Sequence, residues 1–379
     1  MLKSKSLRIQ ILLFIVTFIT TTISGAEWTH GKFLFFGEQP LTWSELMTGL
    51  YFSVPFLGIL TVHEMGHYLT ARWYNIKVTL PFYIPMWLGS IMPTIGTMGA
   101  FIRIKERINS RKQVFDVGVA GPIAGFVVAI ALIHYGFTNL PDQSYLMDIH
   151  PEYMEYGERY IDSARANNEM SIALGHNLIF SFYETYVVED KSRIPSHYEM
   201  YHYPFLFAGF LALFFTALNL IPIGQLDGGH VLYGLLGYEK SKVVFKILFL
   251  TFVFFAGLGV VNPEAPLEDT LISAILYLGF LFFTFMRLEP DITKRILLAI
   301  WIFILQYGIA SWLSLDGQYG FYLVFAFVIG RILGVYHPPS LEEQPLDMNR
   351  KIIGWLALII FILSFSPQPF IVEIHFLKE

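Results

Sequence analysis

The sequence predicts an all-α polytopic membrane protein: about nine transmembrane helices, a re-entrant hairpin and a core bundle carrying a polar site. Three observations lead there. The chain of 379 residues is 55% hydrophobic and 15% charged, with a mean hydropathy of +0.54, whereas soluble domains run nearer ~45–50% apolar and ~25% charged. Apolar stretches of the ~20 residues that cross a bilayer recur along the whole chain. Basic residues collect in alternate connecting segments, as they do when those segments face the cytoplasm. A water-soluble globule is thereby excluded. The net charge of −5 comes with no basic block and no aromatic RNA-binding motif, so no nucleic-acid partner is expected. Cysteine is absent, which removes disulfide frameworks, thiolate zinc sites and thiol nucleophiles together. Any metal must be held by His, Asp or Glu.

Taken in order, spans are expected at 8–25, 43–70, 113–135, 204–222, 243–261, 270–287, 296–313, 319–335 and 351–368. The first follows Lys3, Lys5 and Arg8 and ends near Ser24-Gly25-Ala26, a pattern that also fits a cleaved signal peptide. Between the second and third spans, 80–102 (LPFYIPMWLGSIMPTIGTMGAFI) is apolar but broken by three prolines and repeated glycines, so a straight helix is not expected. A re-entrant hairpin fits better, and irregular backbone at that depth is tolerated only beside protein or a wet cavity. The long interruption 136–203 is rich in acid (Asp142, Asp148, Glu152, Glu155, Glu158, Asp162) and tyrosine (Tyr145, Tyr153, Tyr156, Tyr160). It is read as an ordered cap or loop with an amphipathic helix around 151–168, or more plainly as a solvated connector.

Starting inside and alternating sides, the inner segments receive Arg72, Lys77, Arg103, Lys105, Arg107, Arg111, Lys112 and the later basic groups around Lys240, Arg287, Lys294, Arg331 and Arg350. The outer segments keep only Lys32, Arg159, Arg165, Lys191, Arg193 and Lys378. The expected organisation is therefore an N-terminal helix or signal segment with an outer linker (1–42), a core with the hairpin (43–135), the acidic outer segment (136–203), a second part of the core (204–235) and accessory transmembrane helices (236–379).

The sharpest chemical signal is His63-Glu64-Met65-Gly66-His67, at the inner end of the second span. On a helix, positions i and i+4 share one face, so both imidazoles can reach one ion at ~2.0–2.1 Å. Glu64 lies beside them and can take a proton from water on that ion, which is why HExxH marks zinc hydrolases. Two His and a Glu inside an apolar span are expensive and point to function. A catalytic zinc usually takes three protein ligands, so a third is sought elsewhere. Asp227 is the best candidate. It lies in ALNLIPIGQLDGGH (217–230), where an apolar helix breaks at Pro222 and Gly224, and the orientation brings it to the same inner depth as His63 and His67. The alternative is that Asp227 caps a helix beginning at Gly228. His230 is read as a partner of that site or as a structural histidine, outside the ligand set.

With HEMGH followed by NLIPIGQLDGG, the chain resembles the site-2 protease family of intramembrane zinc metalloproteases, peptidase family M50, over roughly 50–235. The resemblance implies a bound Zn2+ held by His63, His67 and Asp227, with Glu64 as general base. It also implies that Asn219 faces substrate, although a buried amide there could equally satisfy backbone freed by Pro222. The implied substrate is a membrane-spanning protein in the lipid bilayer, such as a membrane-tethered regulator cut near the cytoplasmic face of a bacterial cytoplasmic membrane. Gly121-Pro122-Ile123-Ala124-Gly125 matches a small-residue stretch between the motifs, read physically as ordinary close helix packing. The hairpin 80–102 resembles the family's membrane-entrant β-loop, whose edge could pair with an unwound substrate strand; the plainer reading is a lid over the cavity. Neither a PDZ domain nor a nucleotide-binding module is visible. The competing readings are a metal or ion transporter using the His/Glu/Asp cluster as a transit site and a catalytically silent scaffold.

Overall fold

The computed structural model describes residues 2–35, 39–89, 91–142, 144–151, 153–156 and 170–374, and it is mostly helical. Helices α1 (Leu2–His30), α2 (Trp43–Thr48), α3 (Leu50–Trp73) and α4 (Arg111–Thr138) come first, with strands β1 (Phe82–Met86) and β2 (Gly96–Phe101) between the last two. Short helices α5 (Ser144–Ile149) and α6 (Tyr153–Tyr156), strand β3 (Met170–Leu174) and helix α7 (Leu178–Phe182) follow. Then come α8 (Pro204–Leu220), α9 (Asp227–Leu236), α10 (Tyr238–Ala256), α11 (Leu267–Thr284), α12 (Ile292–Leu313), α13 (Leu323–Phe327), α14 (Met348–Ser364) and β4 (Phe370–Ile374).

Among the described residues, five helices are long and apolar enough to cross a membrane: Ser6–His30, Trp43–Trp73, Arg111–Thr138, Leu267–Arg287 and Ile292–Leu313. The chain is a multi-pass membrane protein. Helix also lies at each of the other four predicted spans, but Pro204–Leu220 and Gly320–Leu333 are shorter apolar helices, and the latter is assembled from 3-10, α and π turns. By contacts the chain divides into two compact units. The first comprises Met1–Arg107, Ala120–Leu218 and Ile359–Glu379, and the second Ile108–Val119 and Asn219–Leu358.

In the first unit the all-α expectation needs correcting, because two small antiparallel sheets are present. One is the hairpin β1–β2, in which Phe82 faces Phe101 and Met86 faces Gly96. Proline at 81, 85 and 93 forbids a helix across this stretch, and pairing two strands satisfies most of the backbone instead. Helix α1 is fastened to this hairpin. Gln10 donates to the Leu80 carbonyl at 2.7 Å, Thr20 to the Gly96 carbonyl at 2.7 Å and Trp28 to the Thr94 carbonyl at 2.9 Å. Gly96 has φ +80°, and a Cβ there would lie 2.3 Å from the Thr21 Cα, so the contact demands glycine twice over. Behind α1, Phe52 stacks on Phe56 and Phe207, with ring centroids 5.2 Å apart in both pairs, in a core that runs on through Phe137, Phe180 and Phe210.

The second sheet pairs β3 with β4 in unbroken register from Met170↔Ile374 to Leu174↔Phe370. Nothing in the local sequence announced it, since its two strands are roughly two hundred residues apart. The described parts of 136–203 bury Leu146, Tyr153, Phe180, Tyr183 and Met200. The helix expected around 151–168 is described only at Tyr153–Tyr156; Glu152, Glu158, Tyr160 and Asp162 lie outside the described residues.

The second unit is fixed by polar bonds at helix ends. Arg111 donates through Nε and Nη2 to the Gly234 carbonyl at 3.0 and 2.8 Å, holding the last turn of α9. Arg350 grips Asp116 with two parallel bonds of 2.8 and 2.7 Å. Between apolar helices, Gln306 donates to the Val253 carbonyl at 3.0 Å and accepts from the Tyr277 hydroxyl at 3.1 Å, the interhelical bonding that apolar helices use as glue.

Candidate metal centre

The motif of the second span sits in the C-terminal half of α3, on a face turned into the protein. His63, Glu64 and His67 are 5%, 6% and 7% exposed, so three ionisable groups are buried in one turn of an apolar helix. The helical repeat puts both imidazoles on the same side, with Nε2 atoms 3.1 Å apart and rings at 75°. Two nitrogens bound at ~2.0–2.1 Å to one tetrahedral ion lie about 3.3 Å from each other. The separation of the pair is close to that distance. Glu64 Oε1 is 4.0 Å from His63 Nε2, beside the two imidazoles.

Small residues make this face possible. A Cβ at Gly121 would lie 2.2 Å from His67 Nε2, and one at Gly125 would lie 3.1 Å from the His63 Cβ. A Cβ at Gly66 would strike the Ala120 carbonyl oxygen at 2.7 Å. The close helix packing expected of 121–125 seats its two glycines directly against the two imidazoles. Spacing held the signal, since Gly121 and Gly125 are four apart, as His63 and His67 are.

In the second unit, Asp227 opens α9. The N-cap is Leu226, with no side-chain capping bond, and Asp227 is the first helical residue. The capping alternative is thereby corrected: the carboxylate lies one position too late to cap. The chain reaches it through a turn in which the Ile223 amide donates to the Ile221 carbonyl at 2.7 Å and Gly224 takes φ +62°. A Cβ on Gly224 would meet the Gly334 carbonyl oxygen at 2.2 Å, while Gln225 donates to the Leu333 carbonyl at 3.1 Å. Those two contacts pin the loop that precedes Asp227. Asn219 lies half-buried in the last turn of α8.

His230 belongs to a relay that the sequence did not reveal. The Pro338 carbonyl can only accept, so His337 donates to it through Nδ1 at 2.6 Å. In the neutral ring His337 Nε2 then accepts from His230 Nδ1 at 2.8 Å, which leaves the His230 lone pair on Nε2. Burial pushes the His337 imidazole down to about 3, and the neighbouring His230 adds to the fall, against an upward pull from the Pro338 carbonyl. Tyr233 stacks on His337 with centroids 4.1 Å apart and bonds Glu343 and the Ser340 amide. His337 stands about a hundred residues beyond His230, and no local pattern links the two.

The structure thus brings His63, Glu64, His67, Gly121 and Gly125 together in the first unit, and places Asn219, Asp227 and His230 in the second. The donor set of two imidazole nitrogens and one carboxylate is the chemistry a hydrolytic zinc takes.

Comparison with known proteins agrees. Residues 51–258 match the family described as Peptidase family M50. A probable zinc metalloprotease EGY2, chloroplastic, from Oryza sativa subsp. indica is 28% identical over 236 residues, 62% of this chain and 36% of the relative. A probable zinc metalloprotease EGY1, chloroplastic, from Oryza sativa subsp. japonica is 30% identical over 186 residues, 48% of this chain and 27% of the relative. Its counterpart from Arabidopsis thaliana is 29% identical over 193 residues, 50% and 30% of the two chains. The chain spans about a third of the length of these relatives. No solved structure matches.

Proposed function

The chain belongs to peptidase family M50, and from that premise we propose that it is an intramembrane zinc metalloprotease that hydrolyses peptide bonds of membrane-spanning proteins near the cytoplasmic face. The observation that carries this reading is the buried pair of imidazole nitrogens 3.1 Å apart with Glu64 beside them. His63 Nε2, His67 Nε2 and the Asp227 carboxylate would hold the zinc. When bound, the ion acidifies a water molecule and polarises the scissile carbonyl.

The remaining chemistry falls to the chain itself. Glu64 takes the proton of the attacking water on a carboxylate oxygen and passes it to the departing amide nitrogen. The α3–α4 contact through Gly121 and Gly125 fixes the imidazole positions and keeps lipid off them. Asn219 is assigned to substrate backbone, and the outer edge of the β1–β2 hairpin to strand addition by a locally unwound substrate. A transmembrane substrate must unwind before cleavage because its amides are tied up internally, so helix-breaking residues favour cutting.

The proposed arrangement in the bilayer keeps nine spans and a re-entrant hairpin. Two things support it. Helix lies at each of the nine predicted spans, and β3 pairs with β4, which requires an even number of crossings between 174 and 370; six predicted spans fall in that interval. The basic flanks put HExxH at the inner end of its span and the 136–203 segment outside. The membrane proposed is a bacterial cytoplasmic membrane; because the named relatives are chloroplastic, fractionation of the native cell decides it. The substrate proposed is a membrane-tethered regulator.

The test uses the purified chain in detergent with a labelled single-span substrate. Glu64→Gln is expected to keep its zinc and lose cleavage by ~100-fold or more, the usual contribution of a general base. Asp227→Ala is expected to lose zinc as well. Cleavage by Glu64→Gln at the wild-type rate rejects the base assignment, and full zinc in Asp227→Ala rejects the third ligand.

A further inference from the structure

A second group of metal-type donors lies in the cap of the first unit, away from HExxH. His150 follows α5, Glu199 precedes the 3-10 turn Met200–His202 that leads into α8, and His202 is the last residue of that turn. His150 Nε2 is 3.2 Å from His202 Nε2, and His202 Nε2 is 3.4 Å from Glu199 Oε2. One donor atom from each of the three residues lies within 4.8 Å of the others. Both measured separations match the ~3.3 Å edge of a tetrahedron around an ion at ~2.0–2.1 Å.

Each donor is also held from behind. His202 Nδ1 faces the Thr29 carbonyl at 2.8 Å, and a carbonyl only accepts, so Nδ1 carries the proton and the neutral ring turns its lone pair at Nε2 toward Glu199 and His150. A metal-bound histidine typically has this bond from its other nitrogen. The Tyr153 hydroxyl donates to Glu199 Oε1 at 2.9 Å, leaving Oε2 as the oxygen on the His202 side. The Tyr153 ring lies flat on His150, with centroids 4.6 Å apart at 17°. Tyr145 donates to the His202 carbonyl at 2.7 Å. His202 and Glu199 are 1% and 3% exposed, so a carboxylate oxygen and an imidazole lone pair converge where water does not compete.

A similar trio, His176, Glu184 and His197, is more open.

We propose that His150, Glu199 and His202 form a second divalent-metal site, of the borderline class that zinc represents, with three protein ligands and one position for water. It is a clasp. By binding there, the ion ties the end of α1 (through Thr29), the end of α5 and the turn before α8 into one piece. The neighbouring His30–Thr48 bond of 2.7 Å places the clasp beside the start of α3, roughly 20 Å along that helix from His63 at ~1.5 Å per residue. The two sites cannot share an ion.

The experiment counts metal on the full chain in detergent, stripped with chelator and reloaded with zinc. The unmutated protein is expected to retain two equivalents after dialysis. His63→Ala/His67→Ala is expected to retain one, and Glu199→Gln, which keeps the side-chain volume, should weaken that remaining equivalent at least tenfold. X-ray absorption of the double variant is expected to show about two imidazole nitrogens at the metal. One equivalent in the unmutated chain, lost entirely in the double variant, overturns the proposal, as does a retained equivalent indifferent to Glu199→Gln and to His150→Gln. Should the double variant fail to fold, Glu199→Gln in the otherwise unmutated chain decides: a fall from two equivalents to one supports the clasp, and no change refutes it. Failure of the protease reading is registered separately, by the equivalent that depends on His63 and His67.

Discussion

Replacing Gly121 by alanine probes the metal centre without touching a ligand. The added methyl would lie 2.2 Å from His67 Nε2 and 2.5 Å from both Cδ2 and Cε1, against an ordinary contact distance of 3.4 Å or more. The imidazole or helix α4 must therefore move by about 1.2 Å in an interior packed nearly as densely as an organic crystal. Metal–ligand distances tolerate only ~0.2 Å. Overpacking of this kind typically costs ~1–3 kcal/mol, and if that strain falls on the His67 bond it weakens zinc binding by ~5- to ~150-fold. Helix propensity works the other way, since alanine is favoured over glycine in a helix interior by ~1 kcal/mol. Lost zinc would thus not trace to a weakened α4. Gly125→Ala is the matched control, because its methyl would sit 3.1 Å from the His63 Cβ and needs only a few tenths of an ångström. The assay is a zinc titration against a chromophoric chelator, with size-exclusion profiles to establish folding and substrate cleavage as the second readout. If Gly121→Ala binds zinc as tightly as wild type, or if Gly125→Ala is the more damaged of the two, the account of this face is wrong.

Two further outcomes are expected from the second unit. Arg111→Met leaves the Gly234 carbonyl without its two charged donors and should lower stability by ~1.5–3 kcal/mol, visible as a lower melting temperature in detergent and partly restored by Arg111→Lys. His337 titrates near 6.5 when unfolded and is pushed down to about 3 by burial in the fold, so between those values the unfolded chain binds the extra proton and stability falls as pH drops. Acidification from pH 7.5 to 5 should therefore cost wild type more than His337→Gln; equal losses in the two melting curves would remove His337 from the explanation.

Much of this site was legible because its signals are local. HEMGH is five consecutive residues, and helical geometry alone puts its imidazoles on one face. Asp227 was legible as a carboxylate after a broken helix, although its place at the first helical position depends on how Leu226 leaves the turn, which no residue type dictates. The broken stretch 80–102 was legible as a hairpin from its prolines. What escaped were pairings between distant residues: His230 with His337, Arg111 with Gly234, β3 with β4, and His150 with Glu199 and His202. Each joins positions whose own neighbourhoods are unremarkable, so only the tertiary fold creates the meaning. The glycines at 121 and 125 are an intermediate case, visible as small but assignable to the imidazoles only once two helices are seen in contact.

The pairing of Met170–Leu174 with Phe370–Ile374 also governs when the protein can be finished. At a synthesis rate of ~5–20 residues per second, the roughly two hundred residues between them occupy the ribosome for ~10–40 s. Throughout that interval the earlier strand waits with an open hydrogen-bonding edge, and such edges recruit wrong partners. A nascent chain stalled before residue 370 should therefore be the aggregation-prone and protease-sensitive species, and release of the last strand the event that closes the cap.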